Sequence, residues 1–336
     1  MMIETMLTLV WFAIIAFGIC MYVLMDGFVL GIGILSRFAA DEHQRDIMMS
    51  SVAPIWDGNE TWLVLGGAGL LAAFPIAYAV VLPALYLPLL AMLIALIFRG
   101  VAFEFRFKAE RSKHVWNWAF NGGSIVATFA QGVALGAFVQ GFEVSGRQYA
   151  GGTFDWLTGF SLVVGVALVA GYALLGATWL IMKTAGDLQD WAYRLTVRLT
   201  VAVVVFIALI SLWVPWLDTD IAERWFSWPN IVFLSPVPVL VGLVAYGLYL
   251  SVRQRRTYRP FLLAMGLFLL GYAGLAISIW PNIIPPDVSI WQAASPPESQ
   301  LFLLIGVAFL IPTILFYTAY SYWVFRGKVD QKVSYY

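Results

Sequence analysis

Two carboxylates with a polar neighbour begin what is otherwise an apolar stretch. The segment Ser51–Trp62 reads SVAPIWDGNETW, and it places Asp57 and Glu60 three residues apart with Asn59 between them. On a helix this spacing puts both acids on one face. Acids there could form a proton-conducting polar path, or they could cap a helix N-terminus and interact with its dipole. The segment alone leaves both interpretations open.

A third acid and an arginine lie in other apolar surroundings. Asp26 stands in MYVLMDGFVLGIGIL with apolar residues on both sides. A charge near the membrane centre costs about 2.5–3.5 kcal/mol on insertion scales, so Asp26 is a candidate for function or for an ion pair. Arg99, in IFRGVAFEFRFKAE, is either an interfacial arginine that reaches water or the partner of a buried carboxylate or of a neighbouring chain's cofactor.

Other small and polar residues of the apolar runs have simpler expected roles. The first apolar run contains three glycines, Gly27, Gly31 and Gly33. They are expected to permit close helix packing, although they would also permit a bend or a nearby prosthetic group. Side-chain amides at three positions are expected to form hydrogen bonds between helices: Asn117, Asn121 and Gln131.

Composition identifies the elements that must position these residues. The 336 residues are 62% hydrophobic and 11% charged, with a mean hydropathy of +0.85, whereas a soluble domain is about 45–50% apolar and about 25% charged. Apolar runs of about 20 residues indicate membrane-spanning helices and not barrel strands. The first run lacks a basic start and a small-residue cleavage site, so we expect a retained helix and not a signal peptide.

The sequence predicts an all-α polytopic membrane protein with about nine transmembrane helices. All connecting segments are short, so residues 1–336 are predicted to form a single transmembrane domain, arranged as two four-helix bundles plus one peripheral helix. The predicted spans lie near 6–36, 54–75, 79–99, 117–140, 158–182, 196–217, 230–251, 260–280 and 300–325.

The basic residues orient the predicted spans. Of the 19 lysines and arginines, all but Arg147 and Arg224 fall on one side of a nine-span arrangement. Lysine and arginine accumulate in cytoplasmic loops, so the N-terminus is predicted outside and the C-terminus in the cytoplasm. The second span then begins at the cytoplasmic face, which places Asp57, Asn59 and Glu60 at its inner mouth.

Residue types that are missing from the spans limit the chemistry of this chain. The two histidines, His43 and His114, lie in predicted cytoplasmic loops, so bis-histidine haem ligation by this chain is not expected. One cysteine excludes a disulfide and a cysteine metal cluster. The sequence also has no Walker motif and no GxSxG elbow. Redox chemistry would therefore depend on a metal or haem held mainly by another chain.

Four segments together resemble one family of membrane proteins. They are MDGFVLGIGIL (25–35), SVAPIWDGNETWL (51–63), FRGVAFEFR (98–106) and the C-terminal SIWQAASPPESQLFLL with IPTILFYTAYSYW. In order and spacing they are similar to subunit II of cytochrome bd-type quinol oxidases, and the short chain resembles the cyanide-insensitive branch. The resemblance covers the first three predicted helices and the last, whereas the middle helices match by order and loop length alone.

The resemblance implies a heterodimer in the bacterial cytoplasmic (inner) membrane. A haem-bearing subunit I would oxidise quinol and reduce dioxygen to water, ligating haem b and either haem d or b-type variants. The present chain would not ligate haem, would be inactive alone, and would contact lipid but not nucleic acid. It would contribute to a cytoplasmic proton uptake that makes turnover electrogenic. The resemblance leaves open whether the complex also contains a structural quinone and a small single-helix accessory subunit.

The resemblance also assigns roles to individual positions. The implied proton path consists of Asp57, Asn59, Glu60 and Asp26, supported by Trp56, Gly58 and Arg99. Some family members carry an acid where this chain has Val29 and a histidine where it has Ile55. A longer polar relay is therefore not expected to carry over.

Two other functions are compatible with the same residues. A proton-coupled secondary transporter would use Asp26, Asp57 and Glu60 for coupling. Transporters often consist of paired inverted repeats, and neither an internal repeat nor an even span count is found here. A structural membrane scaffold would use the acids for capping and packing alone. Purification with or without a larger haem-bearing partner distinguishes these functions.

Overall fold

Helices account for most of the chain, because hydrocarbon cannot hydrogen-bond to free backbone groups. The computed structural model describes residues 2–329, without the side chains of residues 2 and 3. The helices are α1 (Met2–Leu35), α2 (Glu42–Ser50), α3 (Trp56–Ala73), α4 (Pro75–Ala84), α5 (Tyr86–Arg106), α6 (Lys113–Gln140), α7 (Gly159–Lys183), α8 (Gly186–Leu217), α9 (Thr219–Phe226), α10 (Asn230–Leu234), α11 (Pro236–Arg253), α12 (Arg259–Ile279), α13 (Ile290–Ala293) and α14 (Pro297–Val324).

Short antiparallel strand pairs occur in two of the connections. Strand β1 (Val144–Ser145) pairs with β2 (Gln148–Tyr149), with Val144 opposite Tyr149. Strand β3 (Asn282–Ile284) pairs with β4 (Val288–Ser289) through an irregular register. Both pairs pack against α4, so they cover one end of the helical assembly.

The prediction of an all-α polytopic membrane protein is confirmed. Within residues 2–329, eight helices are long and apolar enough to cross a membrane. The predicted span 54–75 is present as α3 but is not among the eight, because the polar residues of WDGNET occupy its first turns. It nevertheless packs along α1. The orientation stays a prediction from the charge distribution.

The predicted third span, 79–99, is wrong in its bounds. The structure divides this region into α4 and α5, and the spanning helix is Tyr86–Arg106. Pro75 occupies the first turn of α4 and Pro88 the first turn of α5. Proline is tolerated there because the N–H that it lacks has no intrahelical partner. The predicted span 196–217 is too short, since its helix begins at Gly186.

The contacts of the long helices can be described as two groups of four and one additional helix, and the predicted division into two bundles stays a prediction. One group contains α1, α3, α5 and α6, and the other contains α7, α8, α11 and α12. The groups meet where α7 packs against both α1 and α6, and α14 lies against α1 and α3. The polar residues of interest lie inside the first group.

The glycine face of α1 produces the close contact with α7. A methyl group built on Gly31 would lie 1.9 Å from the backbone oxygen of Tyr172, and one on Gly176 of α7 would lie 2.5 Å from the Gly31 backbone. At Gly33 the equivalent atom would meet the Ser124 hydroxyl of α6 at 1.9 Å. The glycines therefore serve helix packing, which confirms the simpler of the expected roles.

Replacing Gly31 by alanine is expected to separate α1 from α7 and to lower the thermal stability of the purified protein. Overpacking typically costs about 1–3 kcal/mol, and here backbone atoms would have to move. Gly67→Ala is the matched control, because a methyl group there meets nothing within 4 Å. Equal thermal unfolding of the two variants would contradict the packing role of Gly31.

Candidate functional site

Asp26 of α1 and Arg99 of α5 form a buried ion pair. Arg99 donates from Nη1 to Oδ1 of Asp26 at 2.9 Å and from Nη2 to Oδ2 at 3.2 Å. The Arg99 side chain is 0% exposed and that of Asp26 is 1% exposed. Such paired parallel hydrogen bonds are the strong, geometrically specific form of a charge contact. Arg99 is therefore the partner of a buried carboxylate and not an interfacial arginine that reaches water.

Glu60 of α3 is a second carboxylate on the same guanidinium. Arg99 Nη2 also donates to Oε1 of Glu60, whose side chain is 28% exposed. Two carboxylates thus face one arginine, and the net charge of the three groups is −1 when both acids are ionised. Arg99 Nε has no hydrogen-bond partner among the described residues. The cluster therefore holds one more acid than its cation can neutralise, and its Glu60 end reaches the protein surface.

Asp57 lies one turn before Glu60 and is exposed. The N-cap of α3 is Ile55, and no side chain caps this helix end by a hydrogen bond. The interpretation of Asp57 as a capping residue is therefore wrong. A favourable interaction of Asp57 with the helix dipole is still available, because Asp57 lies in the first turn.

Asn59 joins α3 to two neighbouring helices. Its amide Nδ2 donates to the Met25 backbone oxygen at 2.8 Å, and its Oδ1 accepts from the Tyr322 hydroxyl of α14 at 3.1 Å. The residue is buried. Asn59 therefore holds the first turn of α3 beside the residue that precedes Asp26.

Trp56 and Gly58 shape the sides of this region. Trp56 stacks on Phe103 of α5 with ring centroids 5.0 Å apart, and its ring lies 5.6 Å from the Arg99 guanidinium carbon. A methyl group on Gly58 would approach the Tyr317 ring of α14 at 3.1 Å. A cavity of about 10 Å³ lies here, lined in part by Gly58, Asn59, Tyr317 and Tyr322. It has the size of one water molecule.

A row of hydrogen-bonded side chains lies beside Asp26, and the sequence singled out its glutamine but not its two tyrosines. Gln131 of α6 donates from Nε2 to the Tyr22 hydroxyl at 2.7 Å, and it accepts from the Tyr172 hydroxyl of α7 at 3.0 Å. Tyr22 precedes Asp26 by four residues, so both lie on one face of α1. That spacing is a signal that could have been read from the sequence. The expected interhelical role of Gln131 is confirmed.

A second ionic cluster binds the short helix α2 to α5 and α6. The buried Arg106 contacts Glu42 at 2.9 Å and Asp46 at 2.5 Å, and its Nε donates to Asn117. Asn121, one turn beyond Asn117, donates to two backbone oxygens at the end of α1 at 2.9 and 3.0 Å. The predicted interhelical hydrogen bonds of both asparagines are confirmed, whereas the cluster around Arg106 was not predicted. It fixes the segment that leads into α3.

Comparison with known proteins decides the family. The family described as "Cytochrome bd terminal oxidase subunit II" matches residues 7–325. This chain belongs to that family. The family assignment confirms the resemblance given by the four sequence segments, and it makes this subunit II a component of an oxidoreductase complex. It is a multi-pass protein of the bacterial inner membrane.

Individual relatives align over nearly the whole subunit. Cytochrome bd-I ubiquinol oxidase subunit 2 of Escherichia coli (strain K12) is 29% identical over 367 residues, covering 97% of this chain and 96% of the relative. Cytochrome bd ubiquinol oxidase subunit 2 of Bacillus subtilis (strain 168) is 28% identical, with 96% of both chains covered. A chain of the bd oxidase from Geobacillus thermodenitrificans shares the fold, with a TM-score of 0.74, 17% identity and coverage of 93% and 97%.

The family implies haem in the complex. The side chains of this subunit II show whether it could ligate the haem iron itself. His43 of α2 and His114 of α6 are both exposed. Among residues 2–329, no three or more histidine, cysteine and acidic side chains are grouped so that they could hold a metal ion. The described residues therefore do not fit haem ligation inside the helix groups.

Proposed function

We propose that this chain is subunit II of a complex that oxidises quinol and reduces dioxygen to water, and that it takes up cytoplasmic protons for that reaction. The names of the Escherichia coli and Bacillus subtilis relatives support quinol oxidation. The proton role rests on one observation, the arginine held between Asp26 and Glu60. Ionisable residues inside membrane helices commonly belong to proton relays.

The geometry supports an order in which the residues of this chain would pass a proton inward. Asp57 is exposed at the start of α3, so it can exchange protons with water. Glu60 follows one turn further, is partly exposed and contacts Arg99. Arg99 stabilises a negative charge on either carboxylate, and Asp26 is the innermost acid. Protonation of Glu60 removes the excess negative charge of the cluster, so Glu60 is the group that would accept and release the proton.

We place subunit I on the surface formed by α3 and α5. This surface exposes Asp57 and part of Glu60, and carboxylates in contact with lipid would be costly. Large apolar side chains are exposed around them: Val64, Leu93, Ile97 and Phe98. A partner protein can supply polar groups to the exposed edge of Glu60 inside the membrane, whereas lipid cannot. The proton path would then continue in the partner.

We assign haem b, and haem d or its b-type variant, to the partner in a heterodimer. When bound, these groups would supply electron transfer and oxygen reduction. The present chain would act as one membrane domain that is inactive alone. Because water formation consumes protons, uptake from the cytoplasmic side would make turnover electrogenic.

Affinity purification of this chain from its native membrane, followed by an optical spectrum, tests the proposal. We expect a larger haem-bearing protein to co-purify and quinol-driven oxygen consumption to accompany the pair. We expect the separated chain to lack haem and activity. A chain that purified alone and moved a solute across liposomes would instead be a secondary transporter.

A further inference from the structure

One exposed stripe of side chains on α8 is basic at one end, apolar in its middle and aromatic at the other end. Its middle consists of apolar residues at three- and four-residue spacing, all exposed: Val201, Val205, Leu209 and Leu212. Arg194 and Arg198 continue the stripe at one end, and Trp216, which is 88% exposed, continues it at the other. No described residue of this chain covers this face.

The dimensions of the stripe match those of a bilayer. From Arg198 to Trp216 the helix rises about 27 Å at 1.5 Å per residue, close to the roughly 30 Å of the hydrocarbon core. Tryptophan concentrates at membrane interfaces, and arginine concentrates on the cytoplasmic side. The stripe therefore faces lipid, with its two arginines at the level of the cytoplasmic headgroups.

Further arginines lie beside this end of α8. The turn between α11 and α12 and the two helix ends that flank it carry exposed arginines at four positions: Arg253, Arg255, Arg256 and Arg259. Arg255 forms an ion pair with Asp190 of α8, and the Tyr193 hydroxyl of α8 donates to the Arg256 backbone oxygen at 3.2 Å. These contacts hold the turn against the first turns of α8, below Arg194.

The conformation of the turn brings its charges toward α8. Arg255 has φ +55°, a left-handed conformation that residues other than glycine rarely adopt. Its guanidinium lies 5.0 Å from the centre of the Tyr193 ring. Asp190 neutralises Arg255, but no salt bridge within residues 2–329 neutralises the other five arginines of this surface.

We propose that this surface binds an anionic phospholipid of the cytoplasmic leaflet. Its phosphate would lie between the α8 arginines and those of the turn, because guanidinium groups bind phosphate through paired hydrogen bonds. One acyl chain would follow Val201 and Val205. Basic clusters at the cytoplasmic ends of membrane helices recognise such headgroups. A free phosphate would use only the charged part of the surface, whereas a phospholipid uses both parts.

Native mass spectrometry of the intact complex, reconstituted with equal amounts of phosphatidylglycerol and phosphatidylcholine, tests the site. We expect Arg194→Gln/Arg198→Gln to reduce retained phosphatidylglycerol at least fivefold and to leave retained phosphatidylcholine unchanged. Arg194→Lys/Arg198→Lys should keep most of the retention. Lys108→Gln/Arg111→Gln removes two exposed charges from another predicted cytoplasmic segment and should match the parent. Haem spectra should be the same in all four.

Three results would overturn the proposal. The first is equal phosphatidylglycerol retention by the parent and the Arg194→Gln/Arg198→Gln variant. The second is complete displacement of the lipid by inorganic phosphate in millimolar amounts, which would assign the arginines to a soluble anion. The third is capture of a protein instead of a lipid by a photo-cross-linking residue at Val205, which would make this stripe a protein interface.

Discussion

Arg99→Met is expected to prevent accumulation of a stable subunit. The substitution leaves the fully buried Asp26 carboxylate without its partner, and removing one member of a buried ion pair costs about 3–5 kcal/mol. Glu60 is partly exposed and should tolerate the loss better. Thermal unfolding of the purified complex, with the amount of subunit per membrane protein, measures the effect. Arg111→Met, at an exposed position, is the control.

A double variant separates the structural role of this pair from its function. Asp26→Asn/Arg99→Met removes both buried charges, so we expect it to accumulate better than Arg99→Met alone. Quinol-driven oxygen consumption should nevertheless stay low, because the innermost acid is gone. Full recovery of both stability and turnover would show that the pair serves packing alone. An Arg99→Met subunit as stable as its parent would contradict the buried ion pair itself.

Glu60→Gln is expected to slow quinol-driven oxygen consumption at least about tenfold, equivalent to ~1.4 kcal/mol in the activation barrier. Glutamine keeps the shape and a hydrogen-bond acceptor for Arg99 but cannot take up a proton. Assembly and haem spectra should therefore be unchanged. Asp57→Asn should lower the same rate to a smaller extent, because Glu60, and not Asp57, forms the ion pair with Arg99.

Glu104→Gln provides a matched control for the two acids of α3. Glu104 is an exposed acid on the last turns of α5, 4.0 Å from Lys108, and it does not touch the Arg99 cluster. Its turnover should equal that of the parent. Undiminished oxygen consumption by both Glu60→Gln and Asp57→Asn would refute the proposed path. Failed assembly of Asp57→Asn would instead favour a role at the helix start.

The hydropathy of the chain predicted the long helices well because spanning length and apolar composition are local properties. It could not predict the separation of α4 from α5. That separation occurs within a continuously apolar region, where a proline stands in the first turn of each helix. Conversely, α3 is a full-length helix whose polar first turns lower its hydropathy.

The sequence predicted which residues belong to the site, but it did not predict which of them are in contact. An acid as isolated as Asp26 indicates a buried partner, but Arg99 lies 73 positions away and no periodicity links the two. The choice between a water-reaching and a buried Arg99 therefore required the tertiary contact that brings Arg99 of α5 to Asp26 of α1. Arg106 was overlooked for the opposite reason, since basic residues near a cytoplasmic helix end are common and rarely buried.

The glycine contact between α1 and α7 has a consequence for biosynthesis. Gly31 leaves the ribosome 145 positions before Gly176, the residue that its backbone touches. At roughly 5–20 residues per second, that interval is about 7–30 s. Asp26 lies on the same helix, and its arginine is made 73 positions later. The first helix to enter the membrane must therefore wait for its counter-ion and its closest neighbour.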